Sequence, residues 1–90
     1  MKLSGRYSIE CDGCGKTYDY MPDDVMFTET GEKDAEGNKW YVWEKDFDCV
    51  KCRNPIHIKY EVCLSPDDRV IEKKVNVKGA KELDDTFKFF

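Results

Sequence analysis

Polar and apolar residues alternate with a period of two along most of this chain, and no window repeats at the roughly 3.6 residues of a helix. "YSIEC" at residues 7–11 and "KTYDYM" at 16–21 read as short strands, and "DVMFTET" at 24–30 as a third, since Val25, Phe27, Thr28 and Thr30 suit extended backbone. "GEKDAEGN" at 31–38 is polar and rich in turn formers, which predicts an exposed hairpin loop. "KWYVWEKDFDC" follows as a long strand, with Trp40, Val42 and Glu44 on one face and Tyr41, Trp43, Lys45 and Phe47 on the other. "PIHIKYEVCL" at 55–64 is the cleanest pattern: Ile56, Ile58, Tyr60, Val62 and Leu64 point one way, and His57, Lys59, Glu61 and Cys63 the other. "SPDD" marks a turn, and "RVIEKKVNVK" predicts a further strand. In "GAKELDDTFKFF" the segment "AKEL" suits a helical turn, while "TFKFF" alternates like an edge strand. The expected architecture is all-β: two hairpins, each with a cysteine pair at its tip, and a C-terminal strand or hairpin arm.

Composition narrows this picture. Ninety residues make one small domain, and 38% charged against 40% apolar residues leaves a thin core that needs a staple such as a disulfide or a metal. The five cysteines fall as Cys11, Cys14, Cys49, Cys52 and a solitary Cys63, an odd number that argues against a closed disulfide framework. The opening "MKLSGRYSIE" has no apolar run that suits a signal peptide, and no segment approaches the roughly 18–20 apolar residues of a membrane span. A cytoplasmic location is therefore expected, where paired thiols serve as ligands or redox groups.

A Cys-x-x-Cys turn brings two sulfurs close enough to share one ion, and two such turns complete the tetrahedron that suits Zn²⁺. Gly15, directly after the first pair, supplies the left-handed backbone of a tight turn. The second pair lacks that glycine; Arg53 stands there, and Asn54 is expected to take the positive φ instead, shifting the turn by one residue. The residues "CDGCGK" and "CVKCRNP" together resemble the zinc-ribbon class of small domains. That resemblance implies a structural zinc held by Cys11, Cys14, Cys49 and Cys52 beneath a small antiparallel sheet. It covers residues 6–64 and leaves 65–90 as an extension. The 34 residues between Cys14 and Cys49 exceed what a minimal ribbon needs, as an inserted acidic hairpin would explain.

Two other chemistries use the same thiols. "CGKTYDYMPDD" is similar to the first loop of rubredoxin, an iron electron carrier, although a long alternating strand follows the second pair here. A dithiol oxidoreductase needs a pair at a helix N-terminus, and neither pair opens a helical pattern. His57 reads as a solvated surface residue and Cys63 as a bystander thiol on the same strand face. Trp40, Tyr41 and Trp43, with Phe87, Phe89 and Phe90 at the end of the chain, cover a thin sheet or form a candidate surface for a protein partner.

Charge sets the remaining expectations. The formal net charge is −4; residues 20–50 carry nine acids against three lysines, and residues 69–90 six bases against four acids. Four thiolates on a divalent ion add two further negative charges. Such acidity disfavours general binding to phosphate backbones, and Lys73, Lys74, Lys78 and Lys81 are interleaved with Glu72, Glu82, Asp84 and Asp85. No Ser-His-Asp set or phosphate-cradling glycine loop is present, and a fully liganded zinc activates no water. A non-enzymatic adaptor that binds a protein is the expectation. The rivals are a nucleic-acid-binding ribbon, an acidic hairpin (Glu29, Glu32, Asp34, Glu36) that mimics nucleic-acid charge, and the iron electron carrier.

Overall fold

The computed structural model describes residues 2–89, with the backbone alone at residues 32 and 33. The chain runs β1 (Leu3–Ser4), β2 (Tyr7–Cys11), β3 (Thr17–Tyr20), a single 3-10 turn (Pro22–Asp24), β4 (Thr28–Lys33), β5 (Lys39–Asp48), β6 (Pro55–Leu64), β7 (Val70–Lys78), β8 (Ala80–Asp85) and β9 (Lys88–Phe89). All pairing is antiparallel, in sheets ordered β4-β5-β6-β7, β3-β2-β8 and β1-β9. No helix among the described residues is long and apolar enough to cross a membrane.

The hairpin of β5 and β6 is the spine, paired without interruption from Lys39↔Leu64 to Asp48↔Pro55. Its inner face carries the alternating set of β6, and Ile56, Ile58, Tyr60, Val62 and Leu64 are all buried. The hairpin of β2 and β3 lies across that face, placing Tyr7, Ile9 and Tyr20 against it. Rings form the centre of the core: Tyr7 meets Tyr60 edge-on at 5.5 Å, and Tyr20 meets Trp43 at 5.2 Å. Each fully buried large apolar side chain contributes about 1.5–3 kcal/mol, so the few available count heavily.

Several expectations change on folding. Val25, Met26 and Phe27 precede the strand rather than belonging to it, because the 3-10 turn, closed by Met21 N–H donating to Asp24 at 2.9 Å, redirects the chain. That frees Phe27 to pack edge-on against Tyr60 at 5.4 Å and Phe89 at 5.3 Å. The expected loop at 31–38 is shorter, since β4 continues to Lys33. Its tip is closed by the Asp34 carboxylate, which accepts from the N–H groups of Glu36 at 2.9 Å and Asn38 at 3.0 Å and from Asn38 Nδ2 at 2.7 Å. These bonds hold the Asp34 carboxyl below its usual range, Asn38's side-chain amide most of all.

The last third is no separate arm. β7 extends the large sheet, but β8 leaves it at Gly79 and pairs with β2, with Ile9↔Glu82 and Cys11↔Ala80. "AKEL" is thus strand, because β2 offers an unpaired edge whose hydrogen bonds outweigh a local helical preference. β9 closes against β1, as the alternation of "TFKFF" predicts, and Phe87 just before it enters the core. Phe90 lies outside the described residues.

A second network anchors this return. Asp85, its side chain only 5% exposed, accepts from Tyr60 Oη at 2.9 Å and pairs with Lys73 Nζ at 2.8 Å. Tyr7 Oη donates to Glu82 at 3.4 Å. Burial first, then the carboxylates of Glu82 and Asp85, drive the ionisation of both tyrosines well above the ordinary phenol range, so they stay neutral donors.

Candidate metal centre

The two cysteine pairs occupy the connections β2–β3 and β5–β6, and these turns share one hydrogen-bond scheme. In the first, Cys11 N–H donates to Lys16 C=O at 2.8 Å and Gly15 N–H to Cys11 C=O at 2.9 Å. In the second, Cys49 N–H donates to Asn54 C=O at 2.9 Å and Arg53 N–H to Cys49 C=O at 2.7 Å. Gly15 has φ +77° and Arg53 has φ +63°. The expected shift to Asn54 therefore does not occur; Arg53 itself adopts the left-handed conformation. Asn54 instead turns its side-chain amide toward Gly79 C=O at 2.8 Å and Cys11 Sγ at 3.8 Å.

The turns face each other and bring Cys11, Cys14, Cys49 and Cys52 together, with all four Sγ atoms within 4.8 Å of one another. Two approaches, Cys11 to Cys52 and Cys14 to Cys49, are both 3.6 Å and both cross between hairpins. That is far beyond the about 2.05 Å of a disulfide. Metal–sulfur bonds of about 2.3 Å define a tetrahedron with edges of about 3.8 Å, so the cluster fits a four-coordinate ion.

The sulfurs differ in surroundings. Cys11 and Cys49 are buried, Cys14 is half-buried and Cys52 is exposed. Cys11 Sγ accepts from Gly13 N–H at 3.3 Å. Cys49 Sγ accepts from Tyr18 Oη at 3.2 Å, and Tyr18 Oη in turn accepts from Val50 N–H at 3.1 Å. The Tyr18 bond, supported by the N–H groups of Cys52 and Lys51, pulls the Cys49 thiol down to about 6. At Cys52 the Asn54 N–H favours the thiolate, but burial and the thiols of Cys11, Cys14 and Cys49 push it up to about 12. The four sulfurs form a group that could hold a metal ion, and binding one would require them as thiolates.

The β7–β8 corner completes the site. Gly79 C=O accepts from Asp12 N–H at 3.0 Å in the first knuckle and from Asn54 Nδ2 at 2.8 Å in the second. Gly79 has φ +79°, and a Cβ there would lie 2.0 Å from Pro55 O. Only glycine fits. Tyr18 and Gly79 were not legible as site residues, because each acts on the centre from a different strand segment than the cysteines.

The other singled-out residues lie elsewhere. Trp43 and Phe87, candidates for a partner surface, are 7% and 9% exposed and belong to the core, so neither ring is available to a partner. Phe89 is half-buried against Phe27 and Tyr60. Trp40 and Tyr41 are half-buried on opposite faces of β5, with Lys74 stacked over Trp40 at 5.3 Å. His57 is not freely solvated: its ring sits between Glu44, at 3.2 Å from Nε2, and Asp46 at Nδ1. Cys63 is only 3% exposed, opposite Trp40 and Glu72 at the far end of the sheet, and burial raises its thiol. Of the four lysines singled out, Lys73, Lys74 and Lys81 pair with Asp85, Glu72 and Glu10. Among the described residues there is no pocket. A comparison with known protein families, curated proteins and solved structures finds no match to the chain.

Proposed function

We propose that the chain is a small structural-zinc β protein that serves as a non-catalytic binding module for another protein. One observation carries the metal half: four sulfurs from two hairpin tips converge at tetrahedral spacing, with the C-terminal corner bonded to both tips. An all-sulfur tetrahedral set suits zinc or iron, and zinc is favoured because the centre clamps a domain whose core is thin. Burial in a domain this small nearly cancels against chain entropy, whereas a structural zinc contributes about 10–16 kcal/mol at neutral pH. The centre is thus the main element holding the fold.

The binding half rests on chemistry that is missing for catalysis. Four protein ligands leave no open position for water or substrate. Trp40, Tyr41 and Phe89 are the partly exposed rings among the candidates, with Trp40 and Tyr41 on opposite faces of β5. Pairing of three of the four singled-out lysines with acids weighs against a phosphate-binding role.

Elemental analysis of the purified chain tests the metal: one zinc per chain is expected, whereas iron with visible charge-transfer colour replaces the reading with an electron carrier. Affinity capture from the native cell tests the partner, with either Trp40→Ala or Tyr41→Ala, each reporting on its own face of β5, reducing recovery of a defined bound protein. Equal recovery removes that surface.

A further inference from the structure

The four sulfurs are not equivalent toward reagents, and their differences single out one of them. Cys11 and Cys49 are buried, and the latter is also covered by the Tyr18 hydroxyl at 3.2 Å. Cys52 is the exposed member of the set. Gly13 of the opposite knuckle has no side chain to shield it; a Cβ there would stand 2.8 Å from Cys52 Sγ. Cys52 is flanked in sequence by Lys51 and Arg53, both exposed, and neither forms an ion pair among the described residues. Exposure of a metal-bound thiolate is what an oxidant needs to reach it. A resolving sulfur is already in place, since Cys11 Sγ lies 3.6 Å away on the other knuckle.

From these observations we infer that Cys52 is a modification site: the sulfur of the loaded centre that a hydroperoxide oxidises first, with Cys11 as its resolving partner. The inference rests on the metal reading above, because the ion keeps Cys52 a thiolate. The thiolate attacks one oxygen of the hydroperoxide; an S–O bond forms and the O–O bond breaks. The departing oxygen takes a proton from water and leaves as water or an alcohol. Cys11 sulfur then attacks the sulfenic sulfur of Cys52, forming S–S, breaking S–O and releasing hydroxide. Two thiolates give up two electrons, the hydroperoxide accepts them, and the ion is released with its charge unchanged. The product disulfide joins the two knuckles, so a covalent link replaces the ion between them.

The test uses the full chain as purified with its metal, treated with hydrogen peroxide at less than one equivalent. Release is followed with a chromogenic chelator, and the state of each cysteine by differential alkylation and peptide mass spectrometry. The expected result is one ion released per peroxide consumed, Cys52 the first sulfur modified, a Cys11–Cys52 disulfide, and Cys63 untouched. First modification at Cys14, Cys49 or Cys63, a Cys49–Cys52 disulfide, or release with Cys52 still reduced overturns it. A chain that contains no metal instead removes the reading on which the inference stands, and elemental analysis before treatment separates the two failures.

Discussion

The two knuckles have nearly the same backbone and different residues at its most demanding position. Gly15 and Arg53 both follow the second cysteine of a pair, both have positive φ, and both donate to the first cysteine's carbonyl. Left-handed backbone costs a side-chain-bearing residue about 1–2 kcal/mol. The second knuckle accepts that cost because the alternative, moving the turn to Asn54, would remove the Asn54 amide from Gly79 C=O and swing Cys52 away from Cys11. Ligand placement therefore sets the turn, and local preference yields to it. The knuckles also differ in support, since only the second has a phenol on its buried sulfur.

Four measurements would show how far the two knuckles depend on the same supports. The largest effect is expected from the proposed zinc: if it is bound, Cys49→Ser or chelation removes most of about 10–16 kcal/mol, which exceeds the stability of an ordinary domain. Both knuckles are expected to unfold together, seen as loss of amide dispersion around residues 11–16 and 49–54. A metal-free chain with an unchanged melting temperature would refute the clamp. Next comes Gly79→Ala, which forces a side chain into left-handed backbone and against Pro55 O; a loss of about 2–4 kcal/mol in denaturant unfolding is expected. Exchange protection should fall in both knuckles, because the corner bonds to each.

Tyr18→Phe keeps the ring against Phe47 at 5.1 Å and removes only the hydroxyl. By analogy with other ligand-orienting partners, metal affinity should fall about 10–100-fold, measured by chelator competition. A change confined to stability, with affinity intact, would show that Tyr18 merely packs. The smallest effect is at the turn residues themselves. Arg53→Gly relieves left-handed strain but loosens the unfolded chain, for a net gain of up to about 1 kcal/mol. Gly15→Ala should cost about 1–2 kcal/mol. Opposite signs at equivalent positions are the prediction; equal signs would mean the two turns are not held alike.

The sequence pattern identifies β2, β5, β6 and β7 nearly to their ends; in β6 the alternation follows burial directly, whereas β7 is exposed along most of its length and is marked by its β-branched residues instead. The four cysteines are legible because two pairs at that spacing have few other uses. What escapes the pattern depends on tertiary context. Ala80–Asp85 contains good helix formers and becomes a strand only because β2 has a free edge. Cys63 shares its strand face with polar Lys59 and Glu61 and is nevertheless buried, with Trp40 directly opposite on the neighbouring strand. Alternation gives Trp43 a face but not a covering layer; Tyr7 and Tyr20 supply it from the other hairpin. Tyr18 has no signal of its own, since its role depends on a sulfur 31 residues away.

The carbonyl of Gly79 has a consequence for biosynthesis. As the polypeptide leaves the ribosome, both thiol pairs emerge before residue 79 does, so an ion can be captured by a nascent chain whose lock has yet to appear. Until β8 follows and lies down beside β2, that early complex lacks the hydrogen bonds that join its two halves, and it is then that chelators and proteases have their easiest access. Ribosome-stalled chains ending just before and well after this corner would release their metal at different speeds.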